Sequence, residues 1–431
     1  MARILIYAMN YSPEVAGVAR YTGEIALYFV AMGHKVCVLT TVPHYPGWNV
    51  LPPYRNGRYY RETRASVSVV RCPLALRERI GGIWRLIAPL SFAVTSAPLA
   101  LWLALRHRPD TVLCIEPTLM VAPMAVIAAR LVGAKTVLHV QDLEVDASFA
   151  VGHLAKRAWL MRLAEGLERA ILRRFDRLIT ISAGMAERLA AKGVPSDRIA
   201  VVRNWVDLDF IKPLEGVSPY REELGLNEGD RIVLYSGNIG AKQGLGDLIA
   251  AASDLTRRAD IKFVIAGEGP AKKELVERAA RLPNVRFLPF QPYARLSDFL
   301  GLADVHVLPQ AADAADLVLP SKLGGMLASG RRIVVTAAPG TELATFLDGA
   351  AIIVPPGDAA TLARAIERAA DAPFNEGAAG RRRRLAEQLS KPDGLRNFKA
   401  LAVRWGPIPA ALAAPGAGTA EVLEPPRDAA G

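Results

Sequence analysis

The chain has 431 residues, of which 51% are hydrophobic and 22% charged, with a formal net charge of +11. This length has room for two domains of ordinary size plus a tail, and the apolar share excludes a wholly disordered chain. The positive balance suits nucleic acid, an anionic membrane face or phosphorylated ligands; with no basic run interleaved with aromatics, no nucleic acid partner is expected.

The first residues, "MARILIYAMNYSP", enter a strand at once and read as lacking a signal peptide. "RILIYAM" is an apolar strand, "NYSPEVAG" a loop, and "VARYTGEIALYFVAMG" a helix that stops at Gly33 before the strand "HKVCVLTT". Leu86 to Leu105, "LIAPLSFAVTSAPLALWLAL", has no charged residue and is long enough to span a bilayer, but Pro89 and Pro98 interrupt it. A span here would put strands of one sheet on opposite sides of a membrane. One or two helices packed in the first domain are therefore expected, with a face able to sit on a bilayer. Arg77, Arg79, Arg85, Arg106 and Arg108 flank the segment and would meet anionic headgroups. Peripheral attachment to the cytoplasmic membrane face, and a cytoplasmic location, follow as expectations. Cys37, Cys72 and Cys114 have neither metal nor disulfide spacing and read as free thiols in a reducing compartment.

"DTVLCIE" and "KTVLHVQD" are further strands around the helix "TLMVAPMAVIAARLVG"; "RLITIS", the helix "AGMAERLAAKG" and "RIAVVRNWVD" close the first half. The pattern restarts with "RIVLYSGNIG" and alternates strands and helices through "IKFVIAGEG", "VRFLPF", "DVHVLPQ" and "AAIIVPPGD". Such alternation in both halves predicts α/β architecture with parallel sheets. The expected division is 1–205, a Rossmann-like acceptor-side domain, and 206–390, a donor domain. A helix at 391–405 would pack back on the first domain, ahead of a Pro/Gly/Ala-rich disordered tail at 406–431. Two doubly wound domains facing each other leave a cleft at the carboxyl ends of their strands.

The stretches that carry chemistry cluster at those strand ends. "YSPEVAGVARYTGEIA" places Gly17 at a strand-to-helix turn where backbone can approach a ligand, although a simple turn reads equally well and no G-x-G-x-x-G is present. "KTVLHVQDLEVD" brings His139 and Asp142 to a strand end, with Glu144 and Asp146 behind them; taken alone, a core-edge His and a capping Asp suffice. "ADLVLPSKLGGMLASGRRIVV" stops an apolar run at Pro320-Ser321-Lys322 and opens a Gly-bearing helix, a pattern that fits either a plain core helix or an anion site.

In order along the chain, "PHYPGW", "LHVQDLEVDASF", "VVRNWVD", "YSGNIGAKQGL", "FVIAGEGP" and "LPSKLGGMLASGRRIVV" resemble the retaining GT-B glycosyltransferases of family 4. The similarity is closest to the branch of fucosyl- and N-acetylfucosaminyltransferases of colanic-acid and O-antigen assembly, and it covers the chain up to about Trp405. It implies a GT-B fold of two facing Rossmann-like domains. The implied activity moves a sugar from a nucleotide sugar to a lipid-linked or polysaccharide acceptor, with retention. GDP-fucose is the first expectation for the donor and a UDP-linked 6-deoxy amino sugar the second.

The resemblance also implies site roles. His139 would sit beside the donor sugar and stabilise an oxocarbenium-like centre, with Asp142 orienting it or meeting the acceptor. The family's diphosphate clamp falls on "SGNIGAKQGL", where Asn238 and Gln243 stand at the Arg and Lys positions and Lys242 lies one residue earlier. Of its two glutamates, Asp316 lies near the first and Gly325 replaces the second. Ser321, Lys322 and first-turn N–H groups would then hold the diphosphate, with Gly324 and Gly325 letting backbone come close. Glu268, in "GEGP", is a candidate ribose or base contact, or part of an ordinary turn. No metal and no cofactor beyond the donor substrate are expected. A GT-B nucleotide-sugar epimerase and an inactive membrane-bound scaffold of a polysaccharide assembly complex are the rival readings.

Overall fold

The computed structural model describes residues 1–14, 17–45, 47–77, 84–117, 119–142, 158–311, 319–373 and 375–415. It contains two sheets. The first runs β3-β4-β2-β1-β5-β6-β7-β8, with β1 Arg3–Ala8, β2 Lys35–Thr41, β3 Tyr60–Arg64, β4 Val67–Cys72, β5 Thr111–Glu116, β6 Lys135–Val140, β7 Arg177–Thr180 and β8 Ile199–Val201. All neighbours pair in parallel except β3 with β4. The second sheet is wholly parallel and runs β11-β10-β9-β12-β13-β14, with β9 Arg231–Ser236, β10 Ile261–Ala266, β11 Val285–Leu288, β12 Val305–Leu308, β13 Arg332–Thr336 and β14 Ile352–Val354. Strands covered on both faces read as unbroken apolar runs, which is why "RILIYA" and "TVLCIE" lie buried almost throughout.

The β3–β4 hairpin was not anticipated. Its turn consists of Ala65 and Ser66, both at positive φ (45° and 65°), a two-residue geometry usually marked by Asn-Gly or Asp-Gly. The apolar segment expected as one or two helices forms one continuous helix. Three helices can be labelled here: α1 Val18–Ala31, α2 Trp84–His107 and α3 Ala122–Val132. α2 runs through Pro89 and Pro98 because Ala88, Phe92, Ala100 and Leu103 are buried against the sheet, and that packing outweighs the helix-breaking tendency of proline. Its Leu86–His107 stretch is long and apolar enough to cross a membrane, yet 33% of its most apolar part is buried inside the protein.

The chain crosses between the sheets twice, and the two crossings lie side by side. Val206 N–H donates to Leu389 O at 2.8 Å, and Lys391 N–H donates back to Val206 O at 2.9 Å. Beyond the second crossing, the helix Lys391–Val403 seats Leu395, Phe398, Leu401 and Ala402 in a cluster with Ile4, Ile6, Ile115 and Ile179 of the first sheet.

The expectation that 406–431 is disordered needs correction for its first part. Arg177 donates to Leu401 O (2.7 Å), Arg404 O (3.0 Å) and Gly406 O (2.6 Å), and Ala413 bridges to Ala200. A buried guanidinium collects one carbonyl from the last turn of the helix and two that follow it, so the chain is tied down through this stretch. Residues 416–431 lie outside the described residues.

Candidate functional site

A cavity of about 170 Å³ opens between the sheets where α1 meets the carboxyl end of β9. The first domain contributes Gly17, Arg20 and Tyr21 to its wall. The crossing contributes Trp205 and Val206, and the second domain contributes Ser236, Gly237, Ser321 and Lys322. This volume is below the range typical of pockets that enclose a whole small-molecule ligand, so it suits one polar portion of a ligand lying along the cleft.

Lys322 dominates its chemistry. The side-chain stem is partly exposed, but Nζ is buried, has no hydrogen-bond partner among the described residues, and lies 3.9 Å from the centre of the Tyr235 ring. Burial pushes its pKa down from 10.5 to about 7. Gly237 makes room for it: its φ is 152°, and a Cβ there would stand 3.3 Å from Nζ. On the opposite wall, Gly17 caps the 14-residue α1 at φ 59° with no side-chain cap. The N–H groups of the first turn are thus left to water or to a ligand.

Ser321 lines the same cavity from the turn ahead of the next helix. The helix is the short Leu323–Ala328, capped by Lys322 in a helical conformation without a side-chain hydrogen bond. Gly325 lines the cavity, while Gly324 does not. A Cβ on Gly324 would lie 3.0 Å from Val206 Cβ, and one on Gly325 would lie 3.0 Å from Leu300 Cδ1. These glycines let the helix press against the crossing and a neighbouring helix.

Of the clamp counterpart, Ser236 and Gly237 line the cavity, but the side chains at the expected cation positions do not. Lys242 and Asn238 are exposed and do not line it, and Gln243 Oε1 is occupied accepting from Gly240 N–H at 2.9 Å within its own turn. Glu268 pairs with Lys272 at 2.7 Å, one helical turn on, which favours the plain-turn reading. Asp316, Glu144 and Asp146 lie outside the described residues.

His139 does not reach the cavity. It is 1% exposed, its ring centre is 4.8 Å from that of Phe398 on the terminal helix, and Nε2 lies 3.1 Å from the Gln141 amide. Burial drives its pKa from 6.5 down to about 3, so it is neutral near pH 7. β6 turns this side chain toward the face that the terminal helix covers, and Nδ1 has no hydrogen-bond partner among the described residues. Asp142 follows β6 as an exposed residue and likewise does not line the cavity.

Sequence reading missed the residues that join the domains. Glu24 of α1 accepts from Trp205 Nε1–H at 2.6 Å and faces Lys391 at 3.5 Å, while Lys391 pairs with Asp207 at 3.1 Å. Glu342 of the second domain accepts from Arg203 at 2.8 Å and from Ala183 N–H at 2.9 Å, at the start of a first-domain helix. Within the first domain, at the approach to the crossing, Gln141 and Asn204 exchange side-chain amide bonds at 3.2 and 3.1 Å. Arg203, Asn204, Trp205 and Asp207 fall in "VVRNWVD" and Gln141 in "LHVQDLEVDASF", but no local signal marks Glu24, Glu342 or Lys391, each an ordinary polar residue until its distant partner is known.

Comparison with known proteins agrees with this architecture. Residues 16–205 match the family described as "Glycosyl transferase 4-like domain", and residues 217–390 match "Glycosyl transferases group 1". The putative colanic acid biosynthesis glycosyl transferase WcaI of Escherichia coli K12 is 38% identical over 92% of this chain and 98% of its own length. Among solved structures, sucrose-phosphate synthase from Thermosynechococcus elongatus superposes with a TM-score of 0.74 at 16% identity, covering 93% of this chain and 98% of that one. Anabaena Alr3699/HepE in complex with UDP-glucose gives 0.67 at 15% identity, covering 92% and 98%. The chain belongs to the GT-B glycosyltransferases that join a glycosyl transferase 4-like domain to a group 1 domain.

Proposed function

We propose that this glycosyltransferase takes a sugar from a nucleoside diphosphate donor and passes it, with retention, to a lipid-linked or polysaccharide acceptor in exopolysaccharide assembly. The observation that carries the donor class is the Lys322 ammonium, buried without a partner in a cavity none of whose described lining residues is Asp or Glu. Burying a cation without a counter-ion is costly, and an anionic ligand removes that cost. A departing nucleoside diphosphate gains negative charge in the transition state, where a fixed ammonium and helix N–H groups stabilise it most. The likeness to WcaI supports a polysaccharide pathway of the colanic-acid kind, and the UDP-glucose complex of HepE supports a nucleotide sugar in such a cleft. GDP-fucose is the first donor to test and a UDP-linked 6-deoxy amino sugar the second.

A membrane-borne acceptor is favoured by apolar side chains on one side of the first domain. Leu90, Val94, Trp102 and Leu105 of α2 and Ile127 and Leu131 of α3 are all exposed, on helices packed against each other. Such a patch, with Arg106 and Arg108 at the end of α2, suits the cytoplasmic face of an anionic bilayer. The test is turnover of a panel of nucleotide sugars with and without a polyprenyl-linked acceptor. Acceptor-dependent release of nucleoside diphosphate from one donor supports the reading. Isomerisation of the donor without any acceptor would make the chain an epimerase, and inertness toward the whole panel would favour a scaffold.

A further inference from the structure

We propose that Arg20, from the first domain, is the second cation of the donor diphosphate site, facing Lys322 across the cleft. The assignment rests on the nucleoside diphosphate reading above and adds to it a residue from the opposite domain.

Arg20 sits in the first turn of α1, on the same cavity wall as Gly17. Its Nε donates to Glu24 at 3.2 Å, and its guanidinium lies 5.0 Å from the Tyr293 ring of the second domain and 5.5 Å from the Tyr21 ring. One edge is therefore bonded and the plane is held by aromatic rings, which fixes the fork in space. Nη2, in contrast, is buried and has no acceptor among the described residues.

An arginine cannot shed its charge, so a buried and unsatisfied guanidinium nitrogen is kept only where something supplies the missing acceptor. The same cavity holds the unpartnered Lys322 Nζ, and no carboxylate among the described residues lines it. Lys322 has no counter-ion among the described residues, and Arg20, although paired with Glu24 through Nε, keeps Nη2 unsatisfied; two such donors on opposite walls call for a ligand with several anionic oxygens. A diphosphate has that form: one phosphate can accept from the ammonium while another accepts from the guanidinium. The second domain's own loop does not fill the second place, because Asn238 and Gln243 are uncharged and Lys242 does not line the cavity. A site shared in this way joins α1 to the second domain through the ligand.

Calorimetric titration of the full chain with GDP, UDP, guanosine and uridine tests the assignment. Arg20→Gln should weaken the nucleoside diphosphate that the wild type binds by roughly 10- to 100-fold, the span expected for a charge-assisted bond, and leave the matching nucleoside unchanged. Combined with Lys322→Met, it should lose less than the product of the two single losses, because both contact one ligand group. If Arg20→Gln does not fold, Arg20→Lys is read on the same pair of ligands, with a smaller loss confined to the diphosphate.

Tyr293→Leu removes the ring that spans the cleft and keeps the guanidinium, so it should cost less than Arg20→Gln. Unchanged diphosphate affinity in the Arg20 variants overturns the assignment while leaving the donor reading in place. An equal loss for nucleoside and diphosphate also overturns it, making Arg20 a residue of domain packing. A wild type that binds neither GDP nor UDP, while binding no other nucleoside diphosphate, would bring down the donor reading itself.

Discussion

Lys322→Met should make the free protein more stable and its donor binding weaker. Methionine keeps the length and apolar stem of lysine, so the change isolates the ammonium. The pKa of that group falls from 10.5 to about 7 on folding. At about 1.4 kcal/mol per unit, keeping it charged at pH 7 costs the fold on the order of 4–5 kcal/mol before solvent is considered. The stem is partly exposed and the Tyr235 ring returns some cation–π attraction, so a net gain of about 1–3 kcal/mol is expected for the variant.

The sign with pH follows from proton counting. Between about 7 and 10.5 the unfolded chain holds the lysine proton and the folded chain does not, so this group makes wild-type stability rise with pH across that window. The variant should lack that rise. Nucleoside diphosphate affinity should drop in the variant by roughly 10- to 100-fold, the loss of one charge-assisted hydrogen bond. Urea denaturation at pH 7 and pH 9 reads the first effect, and calorimetric titration reads the second. Wild-type affinity in Lys322→Met would remove the ammonium from the diphosphate and refute the reasoning.

His139→Phe should keep the contact with Phe398 and lower kcat by less than about threefold, because the ring lies in the core and not at the cavity; a hundredfold loss in kcat with unchanged stability would restore its expected catalytic role. With a folded pKa near 3 against 6.5, His139 binds its proton more readily when unfolded, so it weakens the fold as pH drops from about 6.5 toward 3. The phenylalanine variant should show a shallower acid limb in denaturation. Activity should survive EDTA, since fixed cations are proposed to carry the diphosphate; loss that Mg²⁺ or Mn²⁺ restores would require a metal instead. Flotation with anionic vesicles should recover the wild type and lose it at high salt or in Val94→Glu, a substitution at a site 66% exposed on α2. Equal recovery of both proteins would move the membrane contact elsewhere.

Much of the fold was legible because parallel strands covered on both faces must be continuously apolar, so "RILIYA", "TVLCIE" and "IKFVIA" stand out one by one. Gly17 and the Ser321-Lys322 pair were legible as site candidates for a similar reason: a strand-to-helix turn and a lysine beside one are local features, and the cavity brings all three together. Other properties depended on packing between segments far apart in sequence. Alternation along β6 says that His139 faces one side of the sheet, but not that a helix from residues 391–403 covers that side. Gly324 reads as room for a ligand until Val206 is found against it. Arg20 looks like any arginine on an amphipathic helix, and only the meeting of α1 with the second domain leaves its Nη2 without an acceptor beside an equally unsatisfied Lys322. The sequence by itself determined most of the elements, the β3–β4 hairpin excepted, since burial and backbone preference act over a few residues. Which charges share a cavity was decided by the tertiary structure alone, because desolvation and Coulomb attraction act between groups that the chain brings together only when it folds.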